Sequence, residues 1–215
     1  MNKANSSLRI VAISDTHARH KGLSIPPGDI LIHAGDMTEM GSLSDVVSFN
    51  EFLETLPHPH KIVIAGNHDF CFENRPQEAQ ALLTNCLYLE DEALEIEGIK
   101  FYGSPWQPFF FDFAFQRQRG AEMQEIWNRI PPDTDILITH GPPHGKLDLT
   151  NWGVQAGCEE LLDAVRQIKP KYHIFGHIHE TYGQTSDAQT RFINASVCTL
   201  NYQPINPPIF FDYPL

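Results

Sequence analysis

The chain has 215 residues, 27 acidic against 15 basic, for a formal charge of −12, with 41% hydrophobic and 11% aromatic residues. Acidity without any basic run argues against long nucleic acid and against an anionic membrane as partners, since both are held by cationic patches. No apolar stretch approaches the ~20 residues that span a bilayer, and residues 1–7 lack the apolar segment of a signal peptide, so the expectation is a soluble cytoplasmic protein with one domain over residues 1–215.

In chain order, the first apolar run is 8–13, followed by a second at 29–33. A helix is expected over 42–56, with apolar residues at Val46, Phe49, Phe52, Leu53 and Leu56 and with Ser42 and Asp45 spaced as a capping box. A third apolar run occupies 61–65, and 99–102 reads as a further strand. Met123, Ile126, Trp127 and Ile130 repeat at helical spacing until Pro131-Pro132 stops them. The fourth run is 135–138; then Cys158, Leu161, Leu162, Val165 and Ile168 mark another helix, ahead of Pro170. The fifth run, 172–175, precedes two more strand candidates at 191–193 and 209–211. The five runs are almost continuously apolar rather than alternating, as in strands covered on both faces, and strands alternating with helices imply an α/β fold. The acidic segments Glu90-Asp91-Glu92, Glu95 and Glu97, and Glu159-Glu160 with Asp163, read as solvated faces. The four cysteines, without C-x-x-C spacing, read as free thiols.

Each of the five runs ends in a polar cluster: Ser14-Asp15-Thr16-His17, Ala34-Gly35-Asp36, Gly66-Asn67-His68-Asp69, Thr139-His140-Gly141-Pro142 and Gly176-His177-Ile178-His179. In open α/β sheets the ligand lies at the carboxyl ends of the strands, so clusters distant in sequence can converge on one crevice. The residue types suit a pair of metal ions. Asp15 and Asp36 offer hard oxygen, His17, His140, His177 and His179 offer imidazole nitrogen, and Asn67 offers a carbonyl oxygen; without sulfur, the set fits manganese, iron, zinc or magnesium. If Asp15-x-His17 and His177-x-His179 continue their strands, each pair faces one way and addresses one centre.

These ordered motifs, D-x-H, G-D, G-N-H-D, T-H and G-H-x-H, resemble the calcineurin-like metallophosphoesterase superfamily. Within it, His33-Ala34-Gly35-Asp36, Gly103-Ser104-Pro105-Trp106, Thr139-His140-Gly141-Pro142-Pro143, Gly157-Cys158, Phe175-Gly176-His177-Ile178-His179-Glu180 and Ile193-Asn194-Ala195-Ser196 are similar to the metallophosphoesterase-domain proteins of the class III cyclic-nucleotide phosphodiesterase type. The resemblance implies a four-layer α-β-β-α sandwich, two mixed sheets flanked by helices, with a dinuclear site at the strand ends. It implies that Asp15, His17 and His179 hold one divalent ion and Asn67, His140 and His177 the other, with Asp36 bridging and manganese the expected metal. His68 would face the substrate, bind phosphate and protonate the leaving oxygen, while Asn67 also meets substrate. The implied reaction is hydrolysis of a small phosphodiester, such as a cyclic nucleotide, by in-line attack of a metal-held hydroxide. Alternatives are a broad phosphomonoesterase or protein phosphatase of the same superfamily, or a metal-loaded scaffold with vestigial activity; a homo-oligomer is compatible with all of them.

Other residues have a functional and a structural reading. Trp106 and the run Phe109, Phe110, Phe111, Phe113 and Phe115 can stack a nucleobase or fill core. Arg19 and His144 can reach substrate or lie in solvent. His33 and His173 read as buried, His58 and His60 as surface. Asp69, Glu180 and Asn194 are candidates to orient the metal-binding histidines.

Overall fold

The computed structural model describes residues 7–215. The first half of the chain forms β1 (Ser7–Ile13), β2 (Ile30–Ala34), α1 (Leu43–Glu54), β3 (His60–Ile64), α2 (Phe70–Asn74), α3 (Pro76–Ala81), β4 (Leu87–Tyr88), β5 (Glu92–Ile96) and β6 (Ile99–Ser104). The second half adds β7 (Gln107–Pro108), β8 (Gln116–Arg117), α4 (Ala121–Trp127), β9 (Ile136–Thr139), α5 (Glu159–Ile168), β10 (Tyr172–Phe175), β11 (Gly183–Ser186), β12 (Arg191–Asn194) and β13 (Ile209–Pro214).

Two sheets result, one ordered β13-β1-β2-β3-β4 and the other β11-β12-β10-β9-β6-β5, while β7 and β8 pair as a separate ribbon. In the first sheet β1 to β4 run parallel and β13 lies antiparallel on β1. In the second, β12, β10, β9 and β6 are parallel between the antiparallel edges β11 and β5. Parallel pairing is what sends the polar strand ends to one side of the molecule.

Strand periodicity explains the layers. Ile10, Ala12, Ile30, Ile32, Ile62 and Ile64 meet Phe101, Ile136, Ile138, Ile174 and Ile193 of the opposite sheet, all buried. Each such side chain removed from water contributes roughly 1.5–3 kcal/mol. Residues of the other parity face the helices: Val11, Leu31 and Val63 lie with Val46, Phe49 and Leu53 of α1, and Leu137, Phe175 and Phe192 with Met123 and Trp127 of α4 and Leu161 and Val165 of α5. The strands are therefore covered on both faces, and the fold is the expected four-layer arrangement of two mixed sheets flanked by helices. No helix among the described residues is long and apolar enough to cross a membrane.

Two local expectations fail, and one strand goes beyond them. The Ser42 hydroxyl sits 2.5 Å from that of Ser44 and caps no backbone amide, while Asp45 accepts from the Glu39 amide at 3.2 Å, so α1 begins without a capping box. The segment from Glu92 keeps its acids solvated as expected, with Glu92, Glu95 and Glu97 exposed, but it folds as edge strand β5, which pairs antiparallel with β6 and buries Ile96. Asp91 is not a solvated acid: it accepts from Ser104 Oγ at 2.7 Å, Trp106 Nε1 at 3.0 Å and Arg129 Nη1 at 2.9 Å.

Candidate metal centre

The strands stop before the candidate ligands, and the backbone then turns through the left-handed region at Asp15 (φ 55°), His17 (φ 42°), Asp36 (φ 58°) and His177 (φ 68°). Non-glycine residues adopt this conformation at a cost, and here backbone hydrogen bonds between the loops offset it. The Asp15 amide donates to the Gly35 carbonyl at 2.9 Å and the His17 amide to the Asp36 carbonyl at 3.0 Å. Carboxylates complete the lock: Asp36 Oδ1 accepts from the His68 amide at 2.8 Å, and Asp15 from the His177 amide at 3.1 Å. The extended-strand reasoning for Asp15-x-His17 and His177-x-His179 is thus corrected, since neither pair is extended. Asp15 and His17 still share a cluster, but His177 and His179 separate.

Seven side chains from the five strand ends form two adjoining groups. In one, His179 Nε2 lies 3.3 Å from Asp15 Oδ1 and 3.3 Å from His17 Nε2, which is 3.7 Å from Asp36 Oδ2. In the other, Asn67 Oδ1 is 2.9 Å from His140 Nε2 and 2.8 Å from His177 Nδ1, with His140 Nε2 3.3 Å from Asp36 Oδ2. Asp36 belongs to both. His68 comes close enough to His17 and Asp36 to extend the first group.

This donor set fits divalent metal ions. His140 Nδ1 donates to the Ala34 carbonyl at 2.9 Å and His179 Nδ1 to the Thr199 carbonyl at 3.0 Å, which fixes each ring and presents Nε2 to the cluster. Gly66 and Gly176 make the approach feasible. A Cβ on Gly176 would overlap Asp15 Oδ2, and one on Gly66 would overlap Asp36 Oδ1.

The electrostatics show acids held ionised among histidines. Burial works to raise Asp36, yet His140, then His17 and His68, hold it below the usual carboxylate range. Asp15 is lowered likewise, against its burial, by His179, His140 and His17. Burial works to lower His140 and His179, but Asp36 lifts the first to about 9 and Asp15 lifts the second to about 8. Burial pushes His17 down to about 4 and His177 to about 3.

Asp36, Asn67, His177 and His179 of the cluster, with His68, floor a cavity of about 730 Å³ walled by the loop that joins β7 to β8, the segment 150–156, and Leu200 and Tyr202. The Tyr202 ring lies edge-on to His17 at 4.8 Å, and Phe113 lies 5.0 Å from His68. His68 Nδ1 donates to the Glu39 carbonyl at 2.7 Å.

Several expected contacts do not line this cavity. Trp106 is only 9% exposed, bound to Asp91 and covered by the Arg117 guanidinium 3.9 Å above its ring. Arg19 donates to the His17 carbonyl at 2.5 Å and reaches Glu39, so it braces the loop. His144 Nδ1 turns toward Asp148, 3.8 Å away. His58, expected at the surface, is buried against the Pro26 carbonyl at 3.1 Å. Asp69 and Glu180 orient no metal-cluster histidine. Asp69 gathers the amides of Met37, Thr38 and Gly66, and Glu180 accepts from the Asn151 amide. Asn194 supports the second sheet's loop, donating to the Ile178 carbonyl at 2.8 Å. His33 and His173 are buried as expected, bound to Thr16 and Thr139. Tyr202, Trp152 and Gln107, which do line the cavity, carried no motif in the sequence.

Comparison with known proteins agrees with this geometry. A human relative, metallophosphoesterase domain-containing protein 1, is 48% identical over 96% of this chain and 71% of its own length. A more distant relative from Synechococcus, named a probable cyclic nucleotide phosphodiesterase, is 26% identical over 73% of this chain and 60% of its own. One solved crystal structure covers 96% of this chain and 95% of its own with a TM-score of 0.73 at 17% identity, a likeness of fold alone. The calcineurin-like phosphoesterase family model matches residues 8–181, every candidate ligand included, and with that match the chain belongs to the calcineurin-like phosphoesterase family, whose members use divalent metals to hydrolyse phosphoric esters.

Proposed function

We propose that this protein hydrolyses small phosphodiesters, cyclic nucleotides among them, at a pair of divalent ions for which manganese is the first candidate. The observation that carries the reading is the pair of donor groups meeting at Asp36, Oδ2 of which lies 3.7 Å from His17 and 3.3 Å from His140 on the floor of one cavity. Asp15, His17 and His179 would hold one ion and Asn67, His140 and His177 the other, with Asp36 common to both. When bound, the ions supply Lewis acidity and activate water for in-line displacement.

The chain's own groups do the rest. His68 Nδ1 donates to the Glu39 carbonyl, which orients the ring with Nε2 free; in the imidazolium form Nε2–H would donate to a phosphoryl oxygen and pass that proton to the leaving oxygen, ending as the neutral Nδ1–H imidazole. An edge contact to His17 at 4.6 Å and a tilted contact to Phe113 at 5.0 Å hold that ring in place. Tyr202 and Phe113 lay apolar ring surface beside His17 and His68 at the cavity. A cavity of about 730 Å³ lies in the usual ~300–1,000 Å³ range of small-molecule sites and supports a small ester. The name of the Synechococcus relative supports a cyclic diester.

The test is a manganese-supplemented panel of 2',3'- and 3',5'-cyclic nucleotides, an aryl phosphodiester and an aryl monophosphate. Diester turnover exceeding monoester turnover is the expected result. Turnover of the monoester alone overturns the reading, and no turnover by a protein carrying two metal ions favours a scaffold.

A further inference from the structure

The loop that joins β7 to β8 is fastened to the metal centre rather than hung over it. The Ala114 amide donates to the carbonyl of Asn67, a candidate ligand, at 3.1 Å. The Gln107 and Phe109 amides donate across the ribbon to the Phe115 and Arg117 carbonyls at 3.0 and 2.8 Å. Nearer the tip, buried Gln116 accepts from the Phe110 amide at 3.0 Å and donates to the Phe110 carbonyl at 2.7 Å. Phe110 is 42% exposed on a backbone held at both polar groups, and it lines the cavity together with Phe113. A ring fixed in that position keeps apolar area in water that a bound group can cover without first ordering the loop.

The two rings form one apolar wall that reaches the cluster at both ends. Phe113 lies 5.0 Å from His68, Phe110 lies parallel to Phe113 within 8° at 6.1 Å, and Phe110 meets His177 edge-on at 6.2 Å. Three polar side chains of the cavity wall are already engaged by backbone. Arg119 donates to the Gly157 and Ala156 carbonyls at 2.9 and 2.8 Å, the Thr150 hydroxyl donates to the Val154 carbonyl at 3.2 Å, and Glu180 accepts from the Asn151 amide at 3.0 Å. A phosphoryl group held at the cluster thus has hydrocarbon, not free donors, beside it on the Phe113 side.

We infer that the Phe110 and Phe113 rings form a subsite for a hydrocarbon ester arm, so that a phosphoryl group sits at the metal centre while its apolar substituent lies along the two rings. The inference rests on the phosphodiesterase reading of the metal centre and adds which esters it prefers, those with a hydrocarbon arm over those with a hydroxylated one. Each methylene covered by the rings strengthens binding by about two- to fourfold. A hydroxyl laid on the same surface gives up its hydrogen bonds to water and gains none from the rings.

The experiment titrates methyl, propyl and hexyl phosphate and glycerol 3-phosphate into manganese-loaded protein by calorimetry. Hexyl phosphate should bind about thirtyfold or more tighter than methyl phosphate, and propyl phosphate about fivefold or more tighter than glycerol 3-phosphate, which differs from it by two hydroxyls. Phe110→Ala should cut the hexyl-to-methyl ratio about fivefold or more, and Phe110→Leu, which keeps apolar area, should retain most of it. Phe210→Ala, an exposed position on β13 outside the cavity, should keep the wild-type ratio. A flat alkyl series, equal binding of propyl and glycerol phosphates, or a ratio that survives Phe110→Ala overturns the subsite. Turnover of methyl hexyl phosphate against dimethyl phosphate, followed by phosphorus NMR, should show the same preference in kcat/KM, and equal turnover of the two also overturns it. If neither diester is hydrolysed, the function reading fails separately, and the calorimetric series still decides the subsite.

Discussion

The floor and the rim of the cavity are built by opposite rules. On the floor and directly beneath it, Asp36, Asn67, Asp15 and His140 are buried, their loops are tied to one another, and glycines at 66 and 176 leave no room for a methyl group. On the rim, Trp152 is 83% exposed and Phe111 69%, and the walls are mostly aromatic and aliphatic. Electronic demand dictates residue type on the floor, since an ion accepts few kinds of donor. Shape and apolar area dictate the rim, where many residue types serve. Substitutions on the floor should therefore abolish chemistry, while those on the rim should change only which substrate is held and how tightly.

The sharpest break is Asp36→Ala, which removes the carboxylate shared by both donor groups. Hydrolysis should be lost, and metal analysis should find less than two ions per chain; two retained ions would contradict the shared role. Next is His68→Ala, expected to keep both ions while lowering kcat by about 10²–10⁴, the usual worth of a general acid. An undiminished rate would remove His68 from the reaction.

A third outcome concerns pH. His140 and His179, lifted to about 9 and about 8 by Asp36 and Asp15 against their burial, must lose their protons before Nε2 can take an ion. Metal affinity at each group should therefore fall about tenfold per unit as pH drops below these values, with proton release visible by calorimetry in buffers of different ionisation heat. In chelator-stripped protein the sign reverses. A folded pKa raised above the unfolded value adds stability that is complete below about 6.5 and lost as pH rises through about 8 to 9. His17 and His177, lowered to about 4 and about 3 mainly by burial, act oppositely and withdraw stability as pH falls from about 6.5. Stripped protein should then unfold at the highest temperature near pH 6.5, and a melting temperature that climbs steadily from pH 6.5 to 9 would refute the assignment.

The smallest effects belong to the rim. Phe110→Ala should raise KM for a nucleotide diester about fivefold with kcat unchanged, the low end of base–aromatic stacking at ~1 kcal/mol. Trp152→Ala should leave stability within about 0.5 kcal/mol, because most of its side chain is already in water. A large loss of stability there would show that the rim is as constrained as the floor.

The same division governs what could be read before folding. The candidate ligand types were legible because Asp, His and Asn directly after apolar runs are an unusual pattern, and all seven side chains do converge. The geometric reason offered for their spacing was not legible. Left-handed turns at Asp15 and His177 depend on amide partners supplied by Gly35 and Asp15, residues 20 and 162 positions away in the chain. The aromatic run was recognised as two-sided, but which ring faces the cavity was not: Trp106 turns inward to Asp91, whereas Phe110 turns outward on the clamp of Gln116. Asp91, read as a solvated acid, bonds three donors that sequence places 13 to 38 residues away. Edge strand β5 was missed because only one of its faces is apolar and its charged residues mimic a loop.

By itself, the sequence determined the strands that carry the site, the longer helices and the donor types at the strand ends, because hydrophobic periodicity and donor type are local properties. Tertiary structure decided that Asp15, His17 and His177 reach the cluster through left-handed turns rather than extended strands, that His58 is buried against the Pro26 carbonyl, and that Trp106 turns inward to Asp91. Each of these depends on where a side chain ends up relative to residues brought in from another strand, and no local pattern encodes that distance.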